Sequence, residues 1–184
     1  MRRLSLSGLC LAAIAAAGVT WLCMLVGGLV SVGAEAPGGE GAFGLAIMVM
    51  VFFLFGLMFV LSAGSISAAL ALTPFLLVGE RLAAGDAPRR RAIIITACVA
   101  CGLAYPMLGW LSQALGDGSP LKLVSYVFGF WPWDAIYDSP NHTFLGMTVI
   151  TLAPAIGGLA AGVVYEAVTR PEPKGLTTPE ASAI

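Results

Sequence analysis

Residues 4–32 read LSLSGLCLAAIAAAGVTWLCMLVGGLVSV and contain no charged side chain. Three further apolar blocks follow at 43–78, 92–115 and 143–168, and Glu166 is the only charged residue in any of the four. A membrane-spanning α-helix needs about 20 apolar residues, and lipid offers no partner for an unbonded backbone N–H or C=O. The four blocks therefore predict an all-α integral membrane protein, folded as a four-helix bundle.

The composition of the whole chain agrees with insertion in a membrane. Of its 184 residues, 59% are hydrophobic and 10% are charged, and the mean hydropathy is +0.94. Soluble domains carry about 25% charged residues. Lys and Arg number 9 against 10 Asp and Glu, which disfavours nucleic acid as a partner. The length suits one transmembrane domain, residues 1–170, and the polar, proline-rich residues 171–184 are predicted to be a disordered cytoplasmic tail.

The cations are distributed unevenly between the two sides of a four-span chain. Those before the first block, between the second and third, or after the fourth are Arg2, Arg3, Arg81, Arg89, Arg90, Arg91, Arg170 and Lys174. Lys122 alone lies in a segment on the opposite side. Positively charged loops stay in the cytoplasm, so the N- and C-termini are both predicted to be cytoplasmic. The composition, rich in alanine and glycine, is typical of a bacterial protein, and the predicted location is the bacterial inner membrane.

The second block is longer than one span requires. As a single helix, residues 43–78 would measure about 54 Å, against a hydrocarbon core of about 30 Å. Two spans, 43–61 and 66–78, would move the arginines at 89–91 to the outside, against the charge rule. We therefore predict spans at about 4–32, 43–70, 92–115 and 143–168, with a bend toward the inner surface at Pro74, which cannot donate to the Leu70 carbonyl. Whether 66–78 continues the second helix or forms an interfacial piece stays open.

The segment between the third and fourth spans, residues 116–142, combines aromatic residues with glycine and proline. It is too short and too interrupted to cross the membrane, so we predict that it lies in the outer interface. Two roles are open: an aromatic anchor among the lipid headgroups, or a contact surface for another subunit or a lipid-like ligand. The candidate contacts are Tyr126, Phe128, Phe130, Trp131, Trp133 and Tyr137.

Small residues recur at helical spacing within the blocks. They form the pairs Gly158 and Gly162, Gly157 and Ala161, and Gly64 and Ala68. Rows of this kind let helix backbones approach closely, which is how membrane helices associate. We favour packing within the bundle over a seam between two copies of the chain.

Cys98 and Cys101 are spaced so that both sulfurs lie on one face of the third helix. One interpretation is a thiol-redox site that passes electrons to a quinone; the other is that both are small apolar packing residues. We favour packing, because the pair lies toward the cytoplasmic end, away from the oxidising side. Gly102 stands where a haem-attachment motif needs histidine. No cofactor and no metal site are predicted.

Charged residues near the membrane surface receive surface roles. Arg89, Arg90 and Arg91 are interpreted as a topology signal that contacts anionic lipid headgroups, at about 1 kcal/mol per cation. Glu166 lies four residues before Arg170, which favours an exposed pair at the membrane interface. The spans hold no deeper acid, so a proton-coupled drug antiporter is disfavoured.

Three functions remain in order of preference. The first is a non-catalytic accessory or structural subunit of a larger inner-membrane complex, with lipids and other membrane subunits as partners. The second is a small oligomeric transporter or channel, whose path would be lined by Ser62, Ser65, Ser67, Thr148 and Thr151. The third is a membrane thiol-redox enzyme that uses Cys98 and Cys101.

Overall fold

A computed structural model describes residues 4–33, 47–84, 88–115 and 144–170. Within the second of these ranges, Met48, Phe52 and Phe59 are not described. Within these ranges the chain is helical and contains no strand, so the all-α prediction is confirmed for them.

The helices are α1 (Leu6–Gly33), α2 (Ser65–Ala83), α3 (Arg90–Leu115) and α4 (Phe144–Thr169). A π-helical turn, Val60–Gly64, leads into α2, and the described residues from 49 to 58 before it are helical. Ser5 directly precedes α1 and caps it. Its side-chain Oγ accepts the Gly8 N–H at 3.2 Å, and its carbonyl accepts the Leu9 N–H at 2.9 Å. A serine at this position supplies partners to the free N–H groups of the first turn.

Three described segments are long and apolar enough to cross a membrane. They are Leu6–Gly27, Val49–Ala83 and Leu152–Thr169. Helix α3 is not among these three segments. Its place as a fourth span stays a prediction.

The structure answers the question that the sequence left open about residues 66–78. Helix α2 runs through Pro74 to Ala83, so these residues belong to it. Burial explains this continuity, because one helical face on both sides of the proline is covered by neighbouring helices. Its residues are Leu72, Leu76, Gly79 and Ala83.

Each helix packs mainly against two others. Helix α1 contacts α4 and α2, and α3 also contacts α4 and α2. The shared core contains small residues of α1, such as Ala12 and Ala13, together with Leu76 of α2, Ile94 of α3 and Tyr165 of α4. Large apolar side chains are plentiful on the outside, as expected where lipid or another protein replaces water.

Candidate functional site

A cluster of buried charged side chains lies where three helix ends meet. Arg90 is the first residue of α3, Glu80 lies near the end of α2, and Glu166 and Thr169 lie near the end of α4. The Arg90 Nη2 donates to Glu80 Oε1 at 2.7 Å and to Thr169 Oγ1 at 2.9 Å, while Nη1 donates to Glu166 Oε2. Only 7% of Arg90 and 9% of Glu166 is exposed, so both are buried ions. We call Glu80, Arg90, Glu166 and Thr169 the Arg90 cluster.

Direct pairing dominates the electrostatics of the Arg90 cluster. The guanidinium lies beside the C-terminal ends of α2 and α4, which favour a cation, but the two carboxylates lie on those same ends, which disfavour an anion. Each helix-dipole effect is worth about 0.3–1 kcal/mol, whereas removing one partner from a buried ion pair costs about 3–5 kcal/mol. The pairing of Arg90 with its two acids therefore decides whether these three ends stay together.

Tyr165 connects the Arg90 cluster to α1. The residue is 1% exposed, and its hydroxyl lies near the Glu80 carboxylate and the backbone of Ser5, close enough for both to act on it electrostatically. A Cβ placed on Gly8 would meet the Thr169 methyl group at 2.8 Å and the Tyr165 ring at 3.2 Å. The start of α1, the end of α2, the start of α3 and the end of α4 thus lie at one end of the molecule.

The Arg90 Nε has no protein partner, although it is buried. The guanidinium carries its N–H donors on three nitrogens. Nη1 and Nη2 donate to Glu80, Glu166 and Thr169, and Nε is the nitrogen left without a partner. A buried polar group without a partner costs about 1–3 kcal/mol. The two carboxylates must therefore offset both the desolvation of the guanidinium and this unmatched donor.

Two surface interpretations from the sequence need correction here. Glu166 does not form an exposed pair with Arg170, because it is buried against Arg90. Arg90 does not face the lipid headgroups with Arg89 and Arg91, which are both exposed. The helical spacing of Glu166 and Arg170 allowed a local pair, but spacing cannot show that α3 begins beside the same carboxylate.

Glu80 was missed by the sequence analysis altogether. It lies just beyond the second apolar block, and the only hint of its role is an acid placed between apolar residues and Arg81. Such a pattern is also typical of an ordinary membrane-surface residue. The partnership between Glu80 and Arg90 becomes visible only once α2 and α3 are packed together.

The small residues of α4 face two different helices. A Cβ on Gly157 would meet Thr20 and, at 2.7 Å, the Ala16 carbonyl of α1. A Cβ on Gly158 would meet the Cys98 carbonyl of α3, and one on Gly162 would meet Ile95 Cα at 2.8 Å. Adjacent glycines therefore allow α4 to touch α1 and α3 at the same level.

The other predicted packing residues also lie inside the molecule. Ala161 is fully buried, Gly64 is buried in the π-helical turn, and Ala68 packs partly buried against the core. Gly102 was not singled out by the sequence analysis, yet a Cβ there would meet the backbone of Pro154. Gly102 lies four residues after Cys98, and this helical spacing of two small residues is the sequence signal that could have found it.

All four cysteines lie in the described part of the chain, and all are free thiols. Cys98 and Cys101 are both buried, and Cys98 contacts the positions of Gly158 and Gly162 on α4. Cys98 therefore occupies the α3–α4 contact itself. Among the described residues, no group of three or more His, Cys, Asp and Glu side chains is placed to hold a metal ion.

The aromatic candidates of the 116–142 segment lie outside the described residues. They are Tyr126, Phe128, Phe130, Trp131, Trp133 and Tyr137. Of the polar residues suggested to line a path, Ser62 and Thr148 are exposed, whereas Ser65 and Ser67 are half-buried. The Ser62 hydroxyl donates to the Met58 carbonyl at 2.6 Å, and the Ser65 hydroxyl donates to the Ser62 carbonyl at 3.0 Å.

No family model, no curated protein and no solved structure matches the chain.

Proposed function

We propose that the chain is a non-catalytic, four-span protein of the bacterial inner membrane that serves as an accessory subunit of a larger membrane complex. The observation that carries this proposal is a continuous apolar surface on the helical stretch before α2. Its large side chains are Phe53, Leu54, Phe55, Leu57, Met58 and Leu61. We call this set the 53–61 surface.

Among the described residues, the 53–61 surface meets α1 along a seam at Gly56 and Phe53. Gly56 lies against the Trp21 ring of α1, and the Phe53 and Trp21 ring centroids are 5.7 Å apart. The side chains around this seam point outward, and Phe55 and Met58 are 71% and 72% exposed. Membrane helices associate through close packing, so a span held along one side has most of its surface available to a neighbour. That availability supports a subunit role.

The cytoplasmic orientation of the termini belongs to the same proposal. The segments that meet at the Arg90 cluster are the start of α1, the end of α2, the start of α3 and the end of α4. In the sequence, every cation except Lys122 lies in these segments or within five residues of them. Positive charge is retained in the cytoplasm, which supports placing this end of the molecule on the cytoplasmic side.

Reporter fusions test the proposed topology. A cytoplasmic reporter placed after Ala87 or after Ile184 is expected to be active, and one placed after Gly38 is expected to be inactive. An externally active reporter should give the reverse pattern at all three positions, which controls for expression. An external signal after Ala87 would contradict four spans and favour a fifth.

Co-purification tests the subunit role. The full chain, extracted in a mild detergent, is expected to bring other membrane subunits with it. With the double variant Phe55→Ala and Met58→Ala, the amount of co-purifying subunits should fall at least tenfold. This variant removes two of the most exposed large side chains of the 53–61 surface. The matched control is Leu11→Ala with Ile14→Ala, which makes the same kind of change on the exposed side of α1.

The aromatic segment supplies a second variant for the same experiment. Trp131→Ala with Trp133→Ala should also reduce the co-purifying subunits, because tryptophan is favoured at binding hot spots and Pro132 restrains the chain between the two. A lipid anchor shared among many aromatics would tolerate the change. If wild-type protein runs as a lone monomer, or if both double variants keep all their partners, the subunit role is wrong.

An oligomeric transporter or channel is the second candidate. The exposure of Ser62 and Thr148 favours a path between copies of the chain over a path inside one copy. Co-purifying chains that proved to be copies of the same protein would support this candidate. The thiol-redox function is the third candidate, and it requires a reversible disulfide between Cys98 and Cys101.

A further inference from the structure

An open groove lies between α2 and α3, apart from the Arg90 cluster. Its volume is about 630 Å³, within the range of about 300–1,000 Å³ found for sites that hold small molecules. Helix α2 supplies Pro74, Phe75 and Leu82, and α3 supplies Ala97 and Ala100. The wall is almost entirely apolar, and Arg89 is the one charged residue among those that line it.

The groove runs from the middle of α2 and α3 to the end of the molecule where the Arg90 cluster lies. Pro74 to Leu82 corresponds to about 12 Å of helix length, close to the half-thickness of about 15 Å of a bilayer core. Arg89 directly precedes α3, and its carbonyl accepts the Ile93 N–H at 3.0 Å. The charged end of the groove therefore lies at the start of α3, next to Arg90, and its apolar part extends toward the middle of the two helices.

The floor of the groove is closed by close contact between the two helices. A Cβ on Gly79 would meet the Ala97 Cβ at 3.2 Å and the Ile94 Cδ1 at 3.3 Å. Apart from Ile93, the α3 side chains that form the wall are small, and Ala92, Thr96 and Ala100 are exposed. The groove therefore opens sideways, toward the surrounding lipid.

We propose that this groove binds one anionic phospholipid of the cytoplasmic leaflet, with an acyl chain against the apolar wall and the phosphate at Arg89. The charge pattern carries this proposal, because a cation lies at one end of an apolar surface that is nearly as long as the hydrocarbon part of one leaflet. An anionic lipid has the complementary pattern of a charged headgroup and an apolar chain. Basic pockets between membrane helices on the cytoplasmic side bind such headgroups. The proposal rests on the proposed membrane insertion and orientation, and not on the subunit role.

Binding of defined lipids to the full chain in detergent tests the charged end of the groove. By native mass spectrometry, phosphatidylglycerol is expected to bind about fivefold more tightly than phosphatidylcholine, the factor that about 1 kcal/mol per cation represents. Arg89→Gln should lose this preference, and Arg91→Gln should keep it. Arg91 is the matched control, since it is an exposed arginine of the same cluster that does not line the groove. Equal binding of the two lipids by wild type, or equal losses in both variants, would overturn the proposal.

A second pair of variants tests the apolar part. Ala100→Trp fills the groove and should weaken binding of phosphatidylglycerol at least tenfold, while Ala167→Trp, at an exposed alanine of α4 outside the groove, should bind like wild type. Circular dichroism and size-exclusion chromatography show whether each variant is folded. Lipid binding unchanged by Ala100→Trp would overturn the proposal, and loss of a dimer with that variant would assign the groove to a second copy instead. Carbonate extraction reports membrane insertion separately, and co-purification reports the subunit role separately, so each can fail without the other.

Discussion

Replacement of Arg90 by methionine is expected to lower the free energy of unfolding by about 3–5 kcal/mol. Methionine keeps a long apolar side chain but removes the cation that Glu80 and Glu166 share. The carboxylates of Glu80 and Glu166 would then lose the cation that they share, and Thr169 would lose its donor. The measurement is unfolding of the purified chain in mixed micelles, followed by circular dichroism, as the denaturing detergent is increased.

Two further variants separate the loss of pairing from the loss of the side chain. Arg91→Met makes the same change at the adjacent exposed arginine and should stay within about 0.5 kcal/mol of wild type. The triple variant Arg90→Met, Glu80→Gln and Glu166→Gln should recover much of the stability, because no buried charge remains uncompensated. If Arg90→Met unfolds like Arg91→Met, the Arg90 cluster does not hold the helix ends together.

Gly158→Ala is expected to lower the free energy of unfolding by about 1–3 kcal/mol, although alanine is the better helix former. The added methyl would overlap the Cys98 carbonyl, a backbone atom that cannot turn aside, so α3 and α4 would have to separate. Gly102→Ala should act in the same direction from the opposite helix, because its methyl would meet the Pro154 backbone. The same micelle unfolding measurement applies to both variants.

Gly18→Ala is the matched control for these substitutions. A Cβ at Gly18 would find Val60 Cγ1 at 3.8 Å, an ordinary van der Waals distance. The higher helix propensity of alanine should then stabilise the protein by up to about 1 kcal/mol. We therefore expect Gly18→Ala to raise the free energy of unfolding and Gly158→Ala to lower it. Equal effects would mean that α4 does not approach α3 as closely as the structure shows.

The candidate site was only partly predictable from the sequence. Cys98 and the glycine pairs were recognisable as small residues at helical spacing, since that pattern can be read locally. The sequence did not show which helix each glycine packs against. Gly157 and Gly158 are neighbours in the chain, yet they face α1 and α3 respectively. The faces of α4 are assigned only by the arrangement of the other helices around it.

The sequence alone determined that the described chain is helical and where its apolar segments lie. The physical reason is that an unbroken run of apolar residues must satisfy its backbone hydrogen bonds internally, and a helix does this within one segment. The sequence left open whether residues 66–78 continue the second helix. In the structure they do, and burial of the face that includes Leu72 and Leu76 accompanies the continuation of α2 to Ala83.

Only the tertiary structure decided which charges are buried and paired. Arg90 is 10 residues from Glu80 and 76 residues from Glu166, and neither separation is a helical neighbour spacing. The sequence shows three charged residues near the ends of apolar segments, a place where charge is ordinarily exposed. They become one buried cluster because three helix ends converge, and the low dielectric there makes pairing far stronger than it is at the surface. The same packing leaves the neighbouring Arg89 at the mouth of the groove between α2 and α3.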